Sequence, residues 1–242
     1  MTKGLYTTHM AEKNEDSRIR ALFEAGVHFG YSRGRRHPSV ASSILATKNG
    51  SDIINLEHTE KSLAKALAFV AELAAAGKSI LFVGSKPEAK KIIEDIALTT
   101  DQPYVTTRWI GGLLTNFSEM KKRINKLEDL REKKLTGGLD MYTKKERGLI
   151  DREMSRLNTL FGGVVGMKKL PDAMFVIDAG YEAIAATEAR KSGIPVIAFS
   201  NTDVSTKHID YPILGNDSSV SSIRHIMDEV ANTFNKNKAT SI

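Results

Sequence analysis

Short, continuous apolar runs alternate with longer amphipathic stretches along most of the chain. Residues 79–83 (SILFV), 173–177 (AMFVI) and 194–199 (IPVIAF) are runs of strand length with few polar side chains. Such runs predict strands buried on both faces, as in a parallel sheet covered by helices. Residues 53–56 and 103–107 read as two further strands. Ala- and Leu-rich segments between them predict helices over 19–26, 59–76, 85–98, 181–191 and from 217 to about 234, with Gly77 and Gly193 as stops. Ser85 and Glu88 have capping-box spacing, with Pro87 in the first turn. The alternation predicts a three-layer α/β/α domain around one parallel sheet.

The pattern breaks once. Phe117, Met120, Ile124, Leu127 and Leu130 recur at spacings of three and four, as do Ile150, Met154, Leu157, Phe161 and Val164. Each stripe is narrow, close to the a/d seam of a coiled coil. The turn-like residues 135–140 separate them, and Thr143 and Glu146 form a second capping-box pattern. Two such helices joined by a short loop predict an antiparallel coiled-coil hairpin inserted into the domain. The expected organisation is a mobile N-terminal tail at 1–17, an α/β domain made of 18–112 and 166–235, the hairpin at 113–165, and a C-terminal tail at 236–242.

Charge changes this picture. The net charge is +6, and residues 115–169 hold 14 lysines and arginines against 8 acids, a surplus equal to that whole net charge. A basic segment of this kind predicts a polyanionic partner. A second acid-free stretch, 30–51, contains Arg33, Arg35, Arg36 and Lys48. There are no cysteines, which excludes disulfides, cysteine zinc sites and thiol nucleophiles. No apolar run is long enough for a transmembrane helix, and residues 1–20 lack the apolar core of a secretory signal. No membrane association is expected.

Candidate chemistry is sparse. Gly77-Lys78-Ser79 lacks the first glycine of a P-loop and ends a helix where a P-loop opens one. Gly84-Ser85-Lys86 follows a strand and opens a helix, so its free N–H groups and lysine could meet a phosphate; plain capping by Ser85 is the simpler reading. The six histidines lack metal-ligand spacing, and His28 is expected as a partly buried, hydrogen-bonded side chain. Asp178 and the 201–203 loop end strands where α/β enzymes place catalysts, yet no nucleophile accompanies them. No catalytic residue, metal or cofactor is therefore expected. Arg33, Arg35, Arg36 and His37, beside Tyr31, make the most nucleic-acid-like loop; without a counter-charge nearby it should be mobile until RNA binds. Lys86, Arg108, Lys121, Lys122, Arg123, Lys144, Lys145 and Arg152 complete the candidate RNA-binding set. Trp109 is expected to pack at the hairpin's base.

Several motifs occur in a fixed order: AGVHFG at 25–30, IINLE at 53–57, ILFVG at 80–84, RWIGGLLTN at 108–116, PDAMFVID at 171–178, Glu188-Ala189 with GIPV at 193–196, and GND at 215–217. In this ordered set the chain resembles the bacterial-type ribosomal protein S2 family, from about residue 19 to 234. The resemblance implies a flavodoxin-like α/β/α domain with a coiled-coil hairpin and no nucleotide. It also implies a structural, non-enzymatic role in the cytoplasmic small ribosomal subunit, bound to rRNA near the head–body junction beside other small-subunit proteins. Docking of ribosomal protein S1 is implied too, and a homo-oligomer is not. A bacterial source is favoured over an organelle. Departures from the family pattern are Tyr31 for a usual His, Arg36-His37 before Pro38, the 201–206 loop and Leu214. An α/β enzyme binding a phosphate or nucleotide through Gly84–Lys86, Asp178 and Asp203 is the alternative.

Overall fold

A computed structural model describes residues 16–238. The described part of α1 covers residues 16–24, followed by β1 (Phe29–Ser32), β2 (Ile44–Lys48) and β3 (Ser51–Ile54). Next come α2 (Leu56–Ala75), β4 (Ile80–Val83), α3 (Pro87–Thr100) and β5 (Tyr104–Val105). The paired helices α4 (Phe117–Leu135) and α5 (Lys144–Phe161) precede β6 (Ala173–Ile177), α6 (Ala183–Lys191), β7 (Val196–Ser200), β8 (Tyr211–Leu214) and α7 (Val220–Asn237). The tail expected at 1–17 lies outside the described residues except for 16 and 17, which are already helical. At the other end α7 carries residues 236 and 237, and 239–242 lie outside.

Five strands form one parallel sheet in the order β5-β4-β6-β7-β8. Counted from β4, this is the 2-1-3-4-5 order of flavodoxin-like folds. The central strands are apolar throughout because both faces are covered. Ile80, Phe82, Phe175 and Ile197 pack with α1, α2, α3 and α7. Their neighbours Leu81, Val83, Met174 and Val176 pack with α6 and the base of α4 and α5. The period-two alternation is thus an alternation between two cores rather than between core and water.

Three strands escape the sequence pattern. β1 and β2 are short and mostly exposed, and they pair with β3 in a small antiparallel sheet of order β1-β3-β2. β8 contains Pro212 and lies at the edge of the main sheet, where proline is tolerated. Two local expectations also fail. Ser85 does not cap α3 with Glu88; Lys86 occupies the N-cap position and Ser85 turns to Glu182. His28 Nδ1 has no hydrogen-bond partner among the described residues; its ring stacks on Phe23 and lies tilted against Phe29 instead, and burial lowers its pKa. The second capping box does form, with Thr143 N donating to Glu146 Oε2 at 2.9 Å.

Helices α4 and α5 run back along each other, joined by residues 136–143. Met120, Ile124, Leu127, Leu157 and Phe161 are buried between them and against the sheet layer. Cross-helix polar contacts continue the pairing: Lys126 to Glu153 at 3.2 Å, Lys134 to Asp151 at 2.7 Å, and Arg131 to Asn158. At the return end, Gly163 passes so close to Tyr104 that a Cβ would collide with the Tyr104 carbonyl oxygen.

One carboxylate fixes where this pair leaves the sheet. Glu188 on α6 is 8% exposed. Its Oε1 accepts from Trp109 Nε1 at 3.3 Å and Gly112 N at 2.7 Å. Its Oε2 accepts from the N–H groups of Leu114 (3.2 Å) and Thr115 (3.4 Å) and from the Thr115 hydroxyl (3.2 Å). Trp109 is buried, as expected of a packing residue. Burial opposes ionisation of Glu188, but the backbone donors, led by Gly112, outweigh it and hold the carboxyl below its ordinary pKa.

Two outcomes are expected. Glu188→Gln, which exchanges one acceptor oxygen for a donor, should cost about 1–3 kcal/mol in urea unfolding at pH 7, and Glu188→Ala more, because buried N–H groups lose their acceptor. A depressed folded pKa means the carboxylate's contribution is present above about pH 4.3 and is lost as pH falls through the folded value. The gap between wild type and Glu188→Gln should therefore narrow in acid. A constant gap down to pH 3 would refute the charged clamp.

Candidate nucleic-acid interface

The arginine loop finds counter-charges in the fold, which corrects the expectation that none lies nearby. After β1 it forms two short 3-10 turns, Arg33–Arg35 and Pro38–Ser43. Arg36 makes a two-pronged contact with Asp52, Nε meeting Oδ2 at 2.6 Å and Nη2 meeting Oδ1. Nη2 also donates to Thr47 Oγ1 at 2.9 Å. Asp52 is fully buried, and the Arg36 hydrogen bonds keep its pKa below the usual carboxylate range. Arg35 pairs with Asp203 at 3.0 Å and lies 4.1 Å above the Tyr31 ring centroid. His37 is structural as well: its N donates to Thr202 O at 2.8 Å, and Nδ1 accepts from Ser39 N at 3.1 Å to cap the second turn. The counter-charges come from 16 and 168 residues further along the chain, so the local sequence does not show them. Asp52 carries one legible signal, an acid inside a predicted apolar strand. Asp203 carries none for this role.

Arg33 remains exposed, and its guanidinium has no ion-pair or hydrogen-bond partner among the described residues. Arg35 is also largely solvent-facing. The loop therefore presents two guanidinium groups outward and uses the third to fix itself.

At the carboxyl ends of β4 and β6 lies the switch point where a fold of this order places a phosphate. Here protein carboxylates fill it. Ser85 N and Oγ, the donors that would face an anion, both meet Glu182 Oε1, the first at 2.8 Å. Lys86 pairs with Asp178 and lies 3.4 Å from Asp217. Burial works against the lysine's charge, but the hydrogen bond to Asp178 and the fields of both aspartates hold its pKa above the usual lysine range. Asp217 is fully buried and shifts upward, first from burial and then from the nearby Asp178. Lys86 is thus spent internally, unlike the outward phosphate ligand its position suggests. Asp178 and Asp203 serve as ion-pair partners of Lys86 and Arg35. Among the described residues, no group of three or more His, Cys, Asp or Glu could hold a metal, and no helix is long and apolar enough to cross a membrane.

The remaining candidates lie on or beside the paired helices, in separate places. Arg108 and Lys121–Arg123 are near the base, where α4 begins; Lys144 and Lys145 open α5 at the far end, and Arg152 lies between. The rise of a helix puts roughly 20 Å between Lys122 and the end of α4. Arg108, Arg123, Lys144 and Lys145 are exposed and have no side-chain partner among the described residues. Lys121 reaches the Lys168 carbonyl at 3.1 Å, Lys122 pairs with Glu119 at 2.6 Å, and Arg152 reaches the Gly148 carbonyl at 3.2 Å. These exposed contacts are weak and exchangeable for a better anion.

Comparison with known proteins agrees with this arrangement. A family model described as "Ribosomal protein S2" matches residues 22–237. A protein of Roseiflexus sp. (strain RS-1) named "Small ribosomal subunit protein uS2" is 42% identical over 213 residues, covering 88% of this chain and 81% of that protein. Relatives of the same name from Sulfurimonas denitrificans and Chloroflexus aggregans are 40% and 39% identical, covering 91% and 88% of this chain, and 85% and 90% of their own lengths. The filled switch point, the parallel sheet and this similarity over most of its length lead to one conclusion: the chain belongs to the ribosomal protein S2 family, structural proteins of the small ribosomal subunit and not enzymes.

Proposed function

We propose that the chain binds small-subunit rRNA as a rigid, two-part clamp. The inserted helical hairpin, residues 113–165 with its coiled-coil seam, supplies one arm and the arginine loop the other. The observation that carries this reading is the charge around the hairpin: residues 115–169, which run from its base through Lys168 and Lys169 just beyond it, hold the surplus of six positive charges, the whole net charge of the chain. Arg33 and Arg35 suit planar phosphate contacts, while Arg36 and Lys86 act by holding the loops that carry them. The proposed contacts are Arg33, Arg35, Arg108, Arg123, Lys144 and Lys145, with Lys121, Lys122 and Arg152 released from their present partners. The resemblance adds neighbouring small-subunit proteins, S1 among them, a bacterial ribosome near its head–body junction, and a single copy per subunit. Sucrose-gradient fractionation of a lysate tests the reading: the chain should travel with small subunits, and a wholly free pool would sink it.

Two variant sets refine it. Replacing Arg123, Lys144 and Lys145 with Ala should flatten the log–log salt slope of rRNA binding by about two or more, given about 0.9 per phosphate on duplex and 0.7 on single strands. An unchanged slope moves the contact off the hairpin. Arg36→Lys keeps the charge but loses the two-pronged Asp52 contact. It should lower thermal stability, whereas Arg33→Lys should weaken rRNA binding and leave the melting temperature unchanged. Equal behaviour of the two variants contradicts this division of labour.

A further inference from the structure

Beside the arginine loop lies a cleft of about 290 Å³ that none of the contacts described so far uses. Its floor is Val40, Pro212 and Leu214. Val40 and Leu214 are themselves buried and packed with Ile54, so the floor is firm. One wall is α2, which presents His58, Lys61 and Lys65 toward it. Their spacing of three and four residues puts them on one helix face. Neither lysine has an ion-pair or hydrogen-bond partner among the described residues, and no acid lines the cleft. The rest of the lining is hydroxyl-rich, with Ser43, Ser62 and Thr206 able to accept further hydrogen bonds.

We propose that this cleft seats one unpaired nucleotide of the small-subunit rRNA. The base and sugar lie on the apolar floor, and the flanking phosphates meet Lys61 and Lys65. Those lysines are one helical turn apart, about 6 Å along the axis, which suits successive phosphates of a single strand. The hydroxyls suit base edges and the 2′-hydroxyl, and proteins that read RNA bind splayed-out bases in this manner. Continuity favours RNA over an acidic protein segment. The cleft wall includes the 3-10 turn Pro38–Ser43, which His37 caps and which follows directly on Arg33–Arg36. The chain thus runs from the arginine loop straight into the cleft wall through this uncharged turn, and Lys61 and Lys65 add cations that neither the basic hairpin nor the arginine-rich sequence pattern marks.

The inference rests on the proposed rRNA binding, so the test separates the two. The full chain is made with a photoreactive benzoylphenylalanine in place of Ser62, assembled into small subunits and irradiated. An RNA adduct is expected, and it should disappear when Lys61 and Lys65 are both replaced by Ala. The Lys61→Ala/Lys65→Ala chain, without the probe, should show a salt slope on small-subunit rRNA lower by about 1.4, from about 0.7 per single-strand phosphate. A protein-only adduct would assign the cleft to an acidic neighbour and overturn the inference. So would no adduct, or an unchanged slope, while the chain still travels with small subunits. Failure of the unsubstituted chain to join small subunits overturns the rRNA reading itself and this inference with it.

Discussion

The direction in which the paired helices leave the sheet depends on the Glu188 carboxylate. A hairpin that leaves a sheet through a loop of eleven residues has no rigid direction of its own. Glu188 gives it one by collecting the Trp109 indole, three backbone N–H groups and the Thr115 hydroxyl at a single buried point. Each donor would otherwise be an orphan at the boundary between core and solvent, and together they make ionisation favourable where burial alone would forbid it. The charge is stable because the loop is folded, and the loop is folded because the charge is there.

The same logic closes the switch point. The order of the strands creates a crevice lined with free N–H groups, and in related architectures a phosphate would fill it. Here Glu182 satisfies Ser85, and Lys86 is shared between Asp178 and Asp217. From there hydrogen bonds run outward: Asp217 accepts from Asn201 N at 3.3 Å, Asn201 Oδ1 accepts from Tyr31 N at 3.1 Å, and Arg35 lies over the Tyr31 ring. A position that is catalytic in other proteins of this layout becomes the foundation of the arginine loop. Fold alone would have misled; the side chains decide.

Much of the fold was legible in the sequence because the main strands are covered on both faces and so read as unbroken apolar runs. The two paired helices α4 and α5 were legible from their narrow stripes. β1 and β2 were not, since they are short and mostly wet, and β8 was hidden by Pro212. Among the candidate residues, the outward positions on α4 and α5 follow from periodicity. The state of the arginine loop did not, because Asp52 and Asp203 reach it by tertiary contact. Lys86 shows the opposite error, a residue whose local context suits phosphate and whose real partners lie 92 and 131 residues away.

The distance along the chain between the hairpin and its anchor has a consequence for how the protein is made. Trp109 and Thr115 leave the exit tunnel 79 and 73 residues before Glu188. At about 5–20 residues per second this is roughly 4–15 s of synthesis. During that interval α4 and α5 can form and pair, helix formation being far faster, while the loop at their root still lacks its acceptor. The nascent chain therefore passes through a stage with a finished basic arm on an unset hinge. The arm's angle is decided only when α6 emerges and docks.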